Sequence, residues 1–370
     1  MINGVFEMEK RMTDSEDESL GFGIIGCGVI APFHAKGIQS AKGAKLVAVA
    51  DIIPEKAQRL AEEYSTEEDG PVAWYKDYQD LLRRDDIHVV CICTPSGMHA
   101  NTAVDAAQAG KHVLTEKPMA ITLPQLDRMI AACRKAGVKL GTIFQRRTYE
   151  SSRQIKHAIE QGKLGKLVLG DAYLKYYRTQ EYYNGASWRG TWELDGGGAL
   201  MNQGVHGVDL LQWLMGGVER VYARAAALVH DIEVEDTAVA VVRYKSGALG
   251  VIEGATSVYP GLETRLEIHG EKGTVILEEQ TIKRWSLIDE EEPGSGAAAP
   301  AEEAGGSSDP AAIASVGFMR QIQDMVDAVR EDREPLVSGE EGRKAVEIIL
   351  AIYESARTGQ EVPVGRGHFG

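Results

Sequence analysis

Over the first 145 residues, short apolar runs alternate with amphipathic stretches. Leu20–Gly26, Leu46–Ala50, His88–Thr94, His112–Glu116 and Lys139–Phe144 read as buried strands. The apolar spacing between them predicts helices after Gly28, over Lys56–Tyr64, near Tyr78–Arg83, over Met98–Ala109 and over Pro124–Ala136. Strands alternating with helices of this length imply a parallel, doubly wound sheet whose ligands lie at the carboxyl ends of its strands. Beyond Gln145 the period changes. A helix over Tyr149–Glu160 leads to a strand over Lys166–Arg178, a long segment with Trp188–Trp192, three glycines at 196–198 and a helix over Ala199–Met215. Strands follow over Val218–Val229, Thr237–Tyr244, Ala248–Val258, Leu262–His269 and Thr274–Glu278. Turn signals at Ser246-Gly247 and Gly270–Gly273 join neighbouring strands as hairpins, so the second part is expected to be a large, mostly antiparallel open sheet with a helix on one face. The other face needs cover, and a second copy of the chain is expected to supply it. Two amphipathic helices, Phe318–Arg330 and Glu340–Thr358, close the pattern and are expected to return to the N-terminal part.

A chain of 370 residues calls for two domains. The expected division is a disordered leader over 1–19, a nucleotide domain over 20–145, a substrate and oligomerisation domain over 146–335, and a C-terminal helix and tail over 336–370. The Ala, Gly, Ser, Pro and Glu content of 290–310 predicts a flexible insertion. A formal net charge of −15 argues against nucleic acid or an anionic membrane as partner. The acidic stretch to Ser19 has no apolar segment and no run approaches a membrane span, so a cytoplasmic setting is expected. Cys27, Cys91, Cys93 and Cys133 lack metal-ligand spacing, and no metal site is expected.

Gly26-Cys27-Gly28-Val29-Ile30-Ala31 turns the first strand into a helix in the G-x-G-x-x-A form. The first glycine permits the turn, the second lets a pyrophosphate approach the backbone, and Gly26, Gly28, Val29 and Ile30 bring the anion to the helix N-terminus. Asp51 ends the second strand about 20 residues further on, where this pattern wants an acid for the ribose hydroxyls. These features define a Rossmann domain. Asp51 should repel a 2′-phosphate and no arginine follows it, so NAD is favoured over NADP; Asp51 could equally cap the helix that starts at Pro54. Thr94, Pro95, His99, Glu116, Lys117 and Gln145 all fall at successive strand ends, which points to one crevice.

Lysine directly before proline is held extended, so Lys117 in Glu116-Lys117-Pro118 should stand at a strand tip, as a reactive group or as a plain charged strand end. In the helix after the glycines, Asn202, His206 and Asp209 fall at i, i+4 and i+7 on an otherwise apolar surface. Such a stripe must find partners or face a cavity. Histidine can take a hydroxyl proton near neutral pH, lysine can hold the oxygen, and a nicotinamide accepts the hydride. The alternative for His206 is a hydrogen-bonded core histidine. Arg146, Arg147, Arg178 and Arg189 could receive an anionic substrate group or serve as ion-pair partners, and Tyr176 and its aromatic neighbours could stack on a sugar or pack a domain interface.

Together the fingerprint, Thr94-Pro95, Glu116-Lys117-Pro118 and the Gly-Gly-Gly segment leading to His206-x-x-Asp209 resemble the glucose-fructose oxidoreductase / inositol dehydrogenase / rhizopine catabolism (Gfo/Idh/MocA) family, from about Leu20 to Val364. The resemblance implies reversible NAD(P)-dependent oxidation of a sugar or cyclitol secondary alcohol, and homodimers or homotetramers formed through the C-terminal sheets. It implies Lys117 and His206 as the catalytic pair with Asn202 beside them, Trp188-Arg189 near the cofactor, and a cis peptide at Lys117-Pro118; the substrate-binding residues expected from the chain are Lys117, Asn202 and His206 with Arg146 and Tyr176. Inositol and many aldose dehydrogenases carry Asp where this chain has Asn202; Asn there is similar to nucleotide-sugar 3-dehydrogenases and to several uncharacterised or glycoside-oxidising members. Transient oxidation that cleaves a glycoside and a non-catalytic sensing regulator are the competing functions on this fold.

Overall fold

The computed structural model describes residues 19–288 and 315–365. The insertion expected over 290–310, and all of the expected leader except Ser19, lie outside the described residues. The first domain runs β1 (Leu20–Ile25), α1 (Ala31–Ser40), β2 (Ala44–Ala50), α2 (Pro54–Tyr64), β3 (Ala73–Tyr75), α3 (Tyr78–Leu82), β4 (Val89–Ile92), α4 (His99–Gln108), β5 (His112–Thr115), α5 (Leu123–Ala136) and β6 (Leu140–Thr142). Its six strands are parallel, in the order β3-β2-β1-β4-β5-β6. Helices cover both faces, which is why β1 and β4 are apolar almost throughout instead of alternating. Chain direction across the sheet reverses between β1 and β4, and this switch point opens a crevice at the carboxyl ends. The edge strand β3 lies just past the loop read through Asp69–Pro71; three residues carry no period from which to read it.

The second domain contains α6 (Glu150–Glu160), β7 (Leu167–Lys175), α7 (Gln180–Asn184), α8 (Val205–Met215), β8 (Val218–Ala226), β9 (Thr237–Tyr244), β10 (Leu249–Ala255), β11 (Arg265–Gly270), β12 (Gly273–Glu278) and β13 (Thr281–Leu287). The stretch read as one helix from Ala199 divides in two: Ala199–Gly204 is wound as a π-helix, and the α-helical turns begin at Val205. Eight strands form the sheet β13-β12-β11-β7-β10-β9-β8-β14, where β14 is Val362–Pro363. Every pairing is antiparallel except β7 with β10. Alternation in β9 turns Ala238, Ala240 and Val242 inward and leaves Val239 and Val241 exposed.

The last two helices join the domains. Phe318, Ile322, Met325 and Val326 of α9 (Ser315–Arg330) share one core with Phe22, Ile24 and Ile38, and α9 packs along α1. α10 (Gly339–Thr358) lies against β8 and α8 on one side and α5 and β6 on the other. Ser338 caps its start by accepting from Glu341 N–H, and Gly359 ends it in the left-handed conformation with φ 68°. Among the described residues, no helix is long and apolar enough to cross a membrane.

Candidate active site

At the turn after β1, Gly26 has φ +95°, and a Cβ there would stand 2.6 Å from the Cys93 carbonyl oxygen, so only glycine fits. Around Gly28 the position of a Cβ is open, with nothing within 4 Å, which leaves the backbone free for a phosphate to approach. Asp51 accepts Cys27 N–H at 2.7 Å and Ile53 N–H at 2.8 Å, pinning the glycine turn to the tip of β2. A carboxylate has about four acceptor directions, so two remain for ribose hydroxyls. Across the crevice, Thr94 Oγ1 and Gln145 Oε1 are buried without a hydrogen-bond partner. Open backbone, spare acceptors and orphaned polar atoms at successive strand ends fit a dinucleotide.

His99 is braced between two loops, its Nδ1 2.8 Å from the Pro118 carbonyl and its Nε2 2.9 Å from that of Thr94. Glu116 meets His34 Nε2 at 2.7 Å and accepts Lys117 N–H at 3.2 Å. Both residues therefore shape the strand end that presents Lys117, and the Lys117-Pro118 peptide is cis.

Lys117 Nζ donates to the Asn202 main-chain carbonyl at 2.9 Å. This joins the tip of β5 to the π-helical turn, a kind of turn that often marks functional sites. Burial, the largest influence, lowers the Lys117 pKa from the usual lysine value; Glu116 and Asp195 oppose it and Arg178 adds to it. His206 is half-buried with Phe144 edge-on at 5.7 Å, and its Nδ1 is sealed without a partner, which leaves Nε2 to meet a ligand. Burial, then the cations Lys117 and Arg146, holds its imidazole well below the ordinary histidine range. His206 is thus a neutral acceptor at physiological pH, standing in a positive field.

Asn202, His206 and Asp209 do not act as one stripe. Asn202 turns its amide to Asp195, whereas Asp209 is engaged twice by Arg147, at 2.6 and 2.8 Å, with both side chains 1% exposed. Arg147 also reaches Glu341 of α10 at 3.0 Å and is thereby a structural cation. Arg146 pairs with Glu279 at 3.1 Å. Tyr176 is buried with its hydroxyl on Thr264 Oγ1 at 3.1 Å. The Arg189 guanidinium lies 4.2 Å from the Tyr182 ring centre and 5.6 Å from that of Trp188 and donates to the Tyr182 carbonyl. Arg178 donates to Gln203 Oε1 at 2.8 Å.

Two carboxylates were not singled out from sequence. Asp195, directly before the glycines, accepts from Asn202 and Gly190. Glu235, 35 residues beyond Leu200, accepts Gly198 and Leu200 N–H at 2.9 Å each and the Tyr353 hydroxyl at 2.9 Å. Gly198 is glycine because a Cβ would fall 1.9 Å from the Glu235 carbonyl oxygen. The only local signal was the acid beside the glycines.

Asp51→Ala is expected to raise the NAD Kd by roughly 10–100-fold, the worth of charge-assisted hydrogen bonds, and to narrow the preference over NADP. Titration with both cofactors checks this; an unchanged affinity ratio would refute it.

A family model described as an oxidoreductase family, NAD-binding Rossmann fold, matches residues 20–144, and one described as the C-terminal alpha/beta domain of that family matches 156–364. Myo-inositol 2-dehydrogenase of Thermotoga maritima is 29% identical over 90% of this chain and 95% of its own. 1,5-Anhydro-D-fructose reductase of Ensifer adhaerens is 27% identical over 94% and 99%. The solved WlbA dehydrogenase of Bordetella pertussis, in complex with NADH and UDP-GlcNAcA, is 36% identical, covers 95% of this chain and 100% of its own, and superposes with a TM-score of 0.83.

Proposed function

The chain belongs to the Gfo/Idh/MocA oxidoreductase family, and from that premise we propose that it oxidises, reversibly, a secondary hydroxyl on the ring of a sugar or sugar derivative. The observation that carries this reading is the pairing of Lys117, anchored on Asn202, with the neutral imidazole of His206 at the mouth of an NAD-binding crevice. NAD supplies the hydride acceptor. His206 takes the hydroxyl proton through Nε2. Lys117 holds the same oxygen, and its charge, with that of Arg146, favours the negative charge that develops there. A pure sensor would need neither residue.

Within the sugar class, an acidic or nucleotide-linked sugar is favoured. Arg146, Arg178 and Arg189 bring cations to the substrate side, and the WlbA relative was solved with UDP-GlcNAcA. Asn202 supports the same choice over a cyclitol. On the outward face of the second sheet Val239 and Val241 stand exposed among ion pairs such as Arg243–Glu219 and Lys175–Glu253; a broad open sheet needs cover, which supports pairing with a second copy as a homodimer or homotetramer.

The test is NADH formation by the purified protein with nucleotide sugars, uronic acids, aldoses and inositols, NAD and NADP run side by side. Turnover confined to the acidic or nucleotide-linked members is expected; turnover of inositols alone would overturn the substrate class.

A further inference from the structure

Asn202 leaves the catalytic helix without a carboxylate four residues before His206, yet a carboxylate reaches the same place from outside the helix. Asp195 is 1% exposed, accepts the Asn202 side-chain amide through Oδ1 at 2.5 Å and accepts Gly190 N–H through Oδ2 at 2.9 Å. Lys117 is bonded to the carbonyl of that same asparagine. We propose that Asp195 is the counter-charge of Lys117, a positioning residue that works across Asn202 as an uncharged bridge and keeps the ammonium protonated and aimed at the substrate oxygen.

The surrounding groups favour this pairing. A buried carboxylate is costly unless a cation answers it, and the cations that face Asp195 are Lys117 and Arg189. Arg189 is already stacked on Tyr182 and bonded to its carbonyl, and the Tyr182 hydroxyl is taken by Gln203. Lys117 is in turn faced by Glu116, Asp195 and Arg178, while His99 and His206 both feel its charge. Glu116 is divided between His34 and the Lys117 main-chain N–H, so Asp195 is the anion on the substrate side. Burial pushes the Asp195 carboxyl up to about 6, against the pull of Gly190, Asn202, Lys117 and Arg189; it is ionised at neutral pH. The sign follows: an ionised Asp195 raises the Lys117 pKa, and neutralising it lets that pKa fall further.

The effect on turnover rests on the dehydrogenase reading, but the charge coupling does not. In the full-length protein, trace acetylation of lysine amines across a pH series, with Lys117 followed by peptide mass spectrometry, reads its titration without substrate. Asp195→Asn is expected to lower the Lys117 midpoint by about one pH unit, a tenfold change in proton affinity, and Asp195→Glu to restore part of it. The alkaline limb of kcat should move by the same amount. An unmoved Lys117 midpoint overturns the inference, whatever happens to turnover. A moved midpoint without turnover of any sugar leaves the counter-charge standing and sinks the dehydrogenase reading instead. Should Asp195→Asn not fold, the Lys117 13Cε resonance of the native protein is expected to show an inflection near pH 6 as Asp195 titrates, and a trace without one overturns the inference.

Discussion

Lys117→Ala and His206→Ala are each expected to lower kcat by about 10²–10⁴-fold while the NAD Kd moves little. His206 is held neutral by burial and by two cations, so its imidazole is in the form that can take a hydroxyl proton, and alanine leaves no base at that place. Lys117 has a second duty, since its ammonium satisfies the Asn202 carbonyl within the π-helical turn. Its loss removes the charge at the substrate oxygen and frees the turn that carries the asparagine. Lys117→Arg should rescue poorly, because a planar fork cannot replace a compact ammonium at one carbonyl and one alkoxide. Neither residue holds the glycine turn or Asp51, hence the expected silence in cofactor affinity. Steady-state kinetics with calorimetric NAD titration separates the two effects, and turnover within a few-fold of the parent in either alanine variant would remove that residue from the chemistry.

The Arg147–Asp209 pair predicts a loss of stability more than of chemistry. Both groups are buried, and cutting Asp209 back to alanine leaves a guanidinium in the interior with only the half-buried Glu341 to answer it. Breaking such a pair from one side costs about 3–5 kcal/mol. Replacing both partners together, as Arg147→Met with Asp209→Leu, should recover much of the loss, since no charge is then stranded. Urea unfolding of the two variants beside the parent protein is the measurement. A change below about 1 kcal/mol for Asp209→Ala would mean that the pair is far less isolated from water than its geometry implies.

The contrast between these residues marks what could be read from the chain alone. The parallel sheet was legible because its strands are short and almost wholly apolar and its helices recur at regular intervals. The hairpins of β9, β10, β11 and β12 were legible because a half-buried strand alternates and Gly-containing turns separate the runs. The nucleotide turn was legible because only glycine can pass so close to Cys93. Ion partners were not: Arg147 stands 62 residues before Asp209, and periodicity within a helix says nothing about what approaches it from elsewhere. The i, i+4, i+7 spacing assumed regular α-helix, whereas the π turn at Ala199–Gly204 changes which residues share a side. Asp195 escaped notice for a related reason, since three glycines and the start of the π turn bring it back onto Asn202, seven positions on. Glu235 lies on a different loop, and its hydrogen bonds to main-chain N–H groups leave no trace in side-chain pattern.

The placement of α9 also bears on how a newly made chain acquires its shape. Phe318, Ile322, Met325 and Val326 belong to the same core as the first strand, although nearly three hundred residues of translation separate them. At about 5–20 residues per second, the ribosome has the nucleotide domain in the open for on the order of ten seconds or more before that last wall of its core emerges. Until then the apolar side of α1 that α9 will cover faces water, a transiently exposed surface of the kind that makes unfinished chains prone to aggregate.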